Sequence, residues 1–127
     1  MKKLLLLLLP LLLASCQEQY EKAIDEYYQS HLDDPQSYEL IEMSKPQKLT
    51  PTSYITFTDG NRKDFYDFLM KFRESYKKQG KDPNEFIGYY VEHEYRTKNS
   101  FGAKITHKDR IYFDKELKQI INIERIK

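Results

Sequence analysis

The sequence predicts an α+β domain in which two amphipathic helices pack on an antiparallel sheet that ends in a C-terminal β-meander. Three observations predict it. Apolar residues recur at helical spacing in two segments, around residues 20–32 and 65–76. Between residues 87 and 96 the spacing switches to period two. Short turns containing Gly, Asn or Asp then separate several brief β-prone runs.

The elements follow in order. Tyr20, Ala23, Ile24, Tyr27, Tyr28 and Leu32 line one face of a helix from about Glu18 to Leu32, with acids and Lys22 between them. Asp33-Asp34-Pro35 stops it, because the residue before a proline is pushed out of helical geometry. Tyr38 to Ser44 reads as a short strand, and Lys45 to Thr52, with two prolines, as a loop. Ser53 to Thr58 (SYITFT) is β-branched and aromatic and reads as a second strand. Asp59-Gly60-Asn61 then caps a second helix, whose stripe is Phe65, Phe68, Leu69, Phe72 and Tyr76 and whose terminator is Gly80. Ile87, Tyr89, Val91, His93 and Tyr95 form one face of a long strand. Lys98 to Gly102 is a hairpin loop and Ala103 to His107 the return strand. Lys108-Asp109 reads as a turn, and strands follow at Ile111 to Phe113 and Gln119 to Ile126. Both helices are expected on one face of the sheet.

The N-terminus carries a different signal. Met1-Lys2-Lys3 is basic, and Leu4 to Leu13 is a leucine run broken only by Pro10. Crossing a bilayer takes roughly 20 apolar residues, and this run is about half that, the length of a signal-peptide core. Leu13-Ala14-Ser15-Cys16 follows and the sequence turns polar at once. This stretch resembles the lipobox of bacterial lipoproteins. The resemblance implies cleavage after residue 15, diacylglyceryl attachment at the Cys16 sulfur, and a mature domain of residues 16–127. A single acyl chain attaches only marginally, whereas two or three hold a protein stably. Gln17 follows the cysteine where enteric lipoproteins retained in the inner membrane carry Asp, which implies an outer-membrane address. Cys16 is the only cysteine, so no disulfide forms within the chain.

Loss of Lys2 and Lys3 with the leader moves the formal charge from +1 to about −1, so net charge favours no nucleic-acid partner. The chain has 11 Tyr and 7 Phe but no Trp, which suits a small core close to its surface. Repeats and flexible linkers are absent from the sequence after residue 17, so one domain is expected.

Catalytic patterns are sparse. No serine sits on a GxSxG elbow, and the four glycines are scattered among turns, caps and a strand. With Lys98 to Gly102 as the loop, Thr97 pairs with Ala103, Tyr95 with Ile105, and His93 faces His107. Opposed Cβ atoms lie ~4.5–5.5 Å apart, near enough for two imidazoles to share a metal. No third ligand is identifiable, so polar residues at a sheet rim are the preferred reading and no cofactor is expected. Glu92, Glu94 and Arg96 read as a surface charge ladder. Arg96, Lys98, Lys104, Lys108 and Arg110 form a basic cluster at the same end, suited to a solvated hairpin or to an acidic ligand.

Two further stretches carry a resemblance: Leu32-Asp33-Asp34-Pro35-Gln36-Ser37-Tyr38-Glu39, and His93-Glu94-Tyr95-Arg96-Thr97-Lys98-Asn99-Ser100-Phe101-Gly102-Ala103. They are similar to "DPxSYE" and "YRxKNxFG" motifs of small bacterial exported proteins and lipoproteins of unknown activity. The resemblance implies a domain type and no reaction. Both stretches read locally as folding signals, with Phe101 folding back onto the sheet. Arg96, Lys98 and Phe101 are the candidate binding residues. The expected protein is therefore a lipid-anchored envelope module that binds an envelope protein or small ligand; a small hydrolase or an inhibitor-like domain is the alternative.

Overall fold

The computed structural model describes residues 18–127, so Cys16, Gln17 and the expected leader lie outside the described residues. Among the described residues the fold is α+β, with three helices and a five-stranded antiparallel sheet whose C-terminal strands form a meander. The elements are α1 (Gln19–His31), a 3-10 turn (Pro35–Ser37), β1 (Glu39–Met43), β2 (Gln47–Leu49), α2 (Pro51–Asp59), α3 (Phe65–Lys78), β3 (Gly88–Lys98), β4 (Lys104–Phe113) and β5 (Ile120–Arg125). The sheet order is β1-β3-β4-β5, and β2 follows β1 along the same side of β3. Among the described residues, no helix is long and apolar enough to cross a membrane.

The predicted first helix forms, and its apolar face is the core. Tyr20, Ile24 and Tyr28 are buried against Val91, Tyr95, Ile111 and Phe113, the odd-numbered face of β3 and β4. Tyr20 meets Phe113 edge-on at 6.3 Å, and Tyr28 packs 4.8 Å from Tyr95. Ring pairs of this kind contribute about 0.5–1.5 kcal/mol beyond the area they bury. The Tyr20-to-Phe113 and Tyr28-to-Tyr95 contacts also fix direction: α1 runs alongside β3, starting level with its first residues. At that same end Gly88 lies against the Phe113 carbonyl, where a Cβ would collide with backbone.

Residues 53–58 correct the sequence expectation: SYITFT is helix, not strand. Thr50 is the N-cap, Pro51 opens the helix, and Thr50 and Ser53 cap each other reciprocally. These capping signals outweigh the β-propensity of the residues that follow. Helical spacing places Tyr54 and Phe57 on one face, 5.2 Å from Tyr112 and 5.0 Å from Tyr90.

Tyr90 and Tyr112 belong to the even-numbered face of the sheet. Contrary to the expectation that both helices lie on one face, α1 covers one face and α2 the other, with α3 packed beside α2. The stripe of α3 is half-buried and Tyr66 and Met70 point outward. Gly80 ends α3 at φ 75°, with its N–H on the Lys77 carbonyl and the Lys81 N–H on that of Tyr76.

Two further corrections concern the hairpin. Residues 108–109 are not a turn, since β4 runs unbroken from Lys104 to Phe113. The register is also two residues from the expected one: Thr97 faces Ile105, Tyr95 faces His107, and His93 faces Asp109. The closing pair is Lys98 with Lys104, so the connection extends past Gly102 to Ala103.

Candidate functional site

The two motif stretches, distant in sequence, meet at the base of the β3–β4 hairpin. Pro35 begins the 3-10 turn, which carries Ser37 over the end of β3. There the Ser37 hydroxyl accepts the Lys98 backbone N–H at 3.0 Å and donates to the Asp34 carbonyl at 2.8 Å. Tyr38 packs 5.7 Å from Tyr95 and shares a 2.6 Å hydrogen bond with His93 Nε2. Glu39 pairs with Arg96 across the strands, and its carboxylate reaches both Arg96 and Lys104 at 3.8 Å. These ion pairs are exposed and each contributes at most about 1 kcal/mol. The Ser37 and Tyr38 contacts set the geometry.

Beyond this brace the hairpin tip is locked by its own backbone. The Asn99 N–H donates to the Ala103 carbonyl at 2.9 Å, and the Gly102 N–H to the Asn99 carbonyl at 3.0 Å. Asn99 Oδ1 accepts the N–H groups of Phe101 and Ala103, each at 3.0 Å. Gly102 sits at φ 80°, a conformation costly for any residue with a Cβ. Phe101 does not fold back onto the sheet as the sequence suggests: it is 92% exposed. The Asn99 side chain holds the N–H groups of Phe101 and Ala103, which fixes the backbone from which the ring projects. Leu40 and Ile105, both partly exposed, lie lower on the same hairpin region.

The basic cluster resolves into a ladder on the even-numbered face. Lys108 and Arg110 approach Glu92 at 3.5 and 3.3 Å, Arg110 also reaches Glu124 at 3.8 Å, and its guanidinium stacks 3.8 Å over Phe57. Of the candidates, Arg96 is occupied by Glu39, while Lys98 forms no ion pair among the described residues.

A second polar cluster has almost no signal in the sequence. Asp109, 2% exposed, accepts the Tyr28 hydroxyl at 2.6 Å and the Tyr95 hydroxyl at 2.9 Å on Oδ2, and Arg125 Nε on Oδ1. Arg125 also donates to His107 Nδ1 at 2.9 Å, which places the proton of neutral His107 on Nε2. Burial, reinforced by Asp109, pushes the Tyr28 hydroxyl far above its ordinary range, and Tyr95 up to about 12. Burial holds His93 down at about 4, opposed in part by the Asp109 charge. His93 Nδ1 has no hydrogen-bond partner, so the ring is a neutral core residue.

The two histidines are not opposed. The Tyr95 ring packs 4.8 Å from His93 and 5.2 Å from His107, and separates them. Among the described residues no three His, Cys, Asp or Glu side chains group as a metal site requires. A shallow cleft lined by Tyr27, His31, Leu32, Ile123 and Arg125 opens above Asp109. Asp109, Arg125 and His31 are each hydrogen-bonded to another protein group, so the cluster joins α1, β3, β4 and β5. Its one trace in the sequence is an acid at an odd position of a β-prone run, which reads more simply as a solvated turn.

No family model matches the chain, and no curated protein or solved structure is detectably similar to it.

Proposed function

We propose that the mature chain is a lipid-anchored protein of the bacterial envelope that works by binding, with the tip of the β3–β4 hairpin as its contact surface. The sequence Leu13-Ala14-Ser15-Cys16 supports the anchor. The single observation that carries the binding reading is Phe101, an almost fully exposed aromatic ring on a loop whose backbone is already fixed. Exposing a large apolar side chain is unfavourable in water, and a rigid loop loses little conformational freedom on association. Lys98 and Lys104 close the base of the loop, and Lys98 forms no ion pair among the described residues, so the complementary surface is an apolar socket with an acid at its rim. A protruding, pre-ordered loop is also what an enzyme inhibitor presents, and in that second reading the socket is an enzyme's cleft. The polar cluster at Asp109 favours a structural role over hydrolysis, because its acceptors already hold donors.

Two measurements test this. A photo-crosslinking residue at position 101 in intact cells should give one discrete protein adduct, whereas the same residue at Tyr66, also exposed, should not. Equal labelling at both positions, or none at 101, refutes the hairpin as the contact. Mass spectrometry of the mature N-terminal peptide should find acyl chains on Cys16, and Cys16→Ser should release the protein from membranes. An unacylated thiol refutes the anchor.

A further inference from the structure

The lipid anchor and the fold together constrain how the domain stands on a bilayer. Cys16 is three residues before Gln19, where α1 begins. Three residues span at most ~11 Å fully extended. On the reading that Cys16 is acylated, the start of α1 is therefore held against the lipid headgroups.

The surface around that point is partly apolar. Tyr20 packs on Phe113, which puts the start of α1 beside the end of β4, the β4–β5 connection and the start of β3. This end of the domain carries Phe86, 36% exposed, and Ile121, 64% exposed at the bulge that opens β5. Lys48 lies 6.0 Å over the Phe86 ring, and Lys115 and Lys118 extend from the connection. The charges of that connection balance: Asp114, held ionised by the backbone N–H groups of Lys118 and Gln119, offsets Lys115, and Glu116 reaches Lys118 at 3.7 Å. Exposed apolar side chains beside a charge-balanced connection, at the end nearest the anchor, match the boundary between acyl chains and headgroups. The hairpin tip lies at the opposite end. Tyr89 to Lys98 rises at about 3.3 Å per residue, which sets Phe101 roughly 30 Å farther out.

We infer that the Phe86–Ile121 end is a membrane-docking face that seats the domain upright on a phospholipid surface, with the Phe101 hairpin pointing away from it. The inference rests on the lipid-anchor reading and adds an orientation that a tether alone leaves open.

The absence of tryptophan from the chain makes the test direct. The full acylated protein carrying Ile121→Trp, Phe86→Trp or Phe101→Trp is reconstituted in vesicles of phosphatidylethanolamine and phosphatidylglycerol with brominated acyl chains. Docking predicts that bromination lowers the indole fluorescence of the Ile121→Trp and Phe86→Trp variants by half or more and leaves that of Phe101→Trp unchanged. Two probes at one end guard against misfolding of either variant. Flotation with the vesicles without quenching at either position, or with equal quenching at 101, overturns the docking face and spares the anchor. Failure to float with an unmodified Cys16 overturns both.

Discussion

Ser37 Oγ and the Lys98 amide nitrogen lie 3.0 Å apart although 61 residues separate them in the chain. This bond ties the turn after the first helix to the last residue of β3, beyond the reach of the β1 ladder, which ends at the Glu39–Arg96 pair. Ser37→Ala should cost about 1 kcal/mol in urea unfolding. Hydrogen exchange at the Lys98 amide should accelerate, with the Val91 amide little changed. Unchanged exchange at Lys98 would show that the brace does not hold the hairpin.

A buried histidine makes stability depend on pH. In the folded protein His93 titrates at about 4, below the ordinary 6.5, chiefly because burial disfavours its charged form. Between those values the unfolded chain binds more protons than the folded one, so acid favours unfolding. The contribution is fully present above about pH 6.5 and is lost as pH falls towards 4. The groups around the ring are Tyr28, Tyr38 and Tyr95, with Asp109 opposite it in β4. Up to about 3 kcal/mol should disappear over this window in wild type, and His93→Gln should flatten that slope in denaturant titrations at a series of pH values.

Removing the Asp109 carboxylate should be more damaging. Asp109→Ala strands two tyrosine hydroxyls and a guanidinium that now converge on it. A loss of about 1–3 kcal/mol for each stranded hydroxyl is expected, read as a lowered thermal midpoint. Arg125→Ala, which removes a half-exposed partner and leaves the tyrosines in place, should cost less.

Thr50→Ala tests the helix at residues 51–59. It deletes the N-cap, so about 1 kcal/mol should be lost in chemical denaturation. Were SYITFT a strand, the substitution would be close to neutral.

At Gly88 the side chain itself is excluded. Gly88→Ala brings a Cβ onto the Phe113 carbonyl, a backbone group of the neighbouring strand. The strands must separate locally, lowering stability to urea by about 1–3 kcal/mol. Gly102→Ala at the exposed tip has open space and should act only through its positive φ, by about 1 kcal/mol.

The periodic elements are readable in the sequence because their burial is one-sided: Tyr20, Ile24 and Tyr28 along a helix, and Val91, His93 and Tyr95 along a strand. SYITFT misleads when composition is weighed ahead of its start signal, although Thr50-Pro51 and Ser53 spell a helix cap. The hairpin register hangs on loop length, and parity survives the two-residue shift while pairing does not. Asp109 is illegible for a deeper reason. Its partners Tyr28, Tyr95 and Arg125 come from three other elements, and no local pattern brings them together. Phe101 stands out as a candidate in the sequence, but its outward aim does not, since sequence does not show that Asn99 Oδ1 ties down the loop backbone at Phe101 and Ala103.

The outer flanks of the sheet are both interrupted. β1 carries a bulge between Leu40 and Glu42, Pro46 separates it from the three-residue β2, and β5 is short and bulged beside Tyr112. Neither flank offers a long straight row of free amides on which another chain could template, and proline, bulges and charged neighbours discourage the attempt. The broken margins of the sheet are therefore a safeguard against runaway fibre growth between copies of the domain.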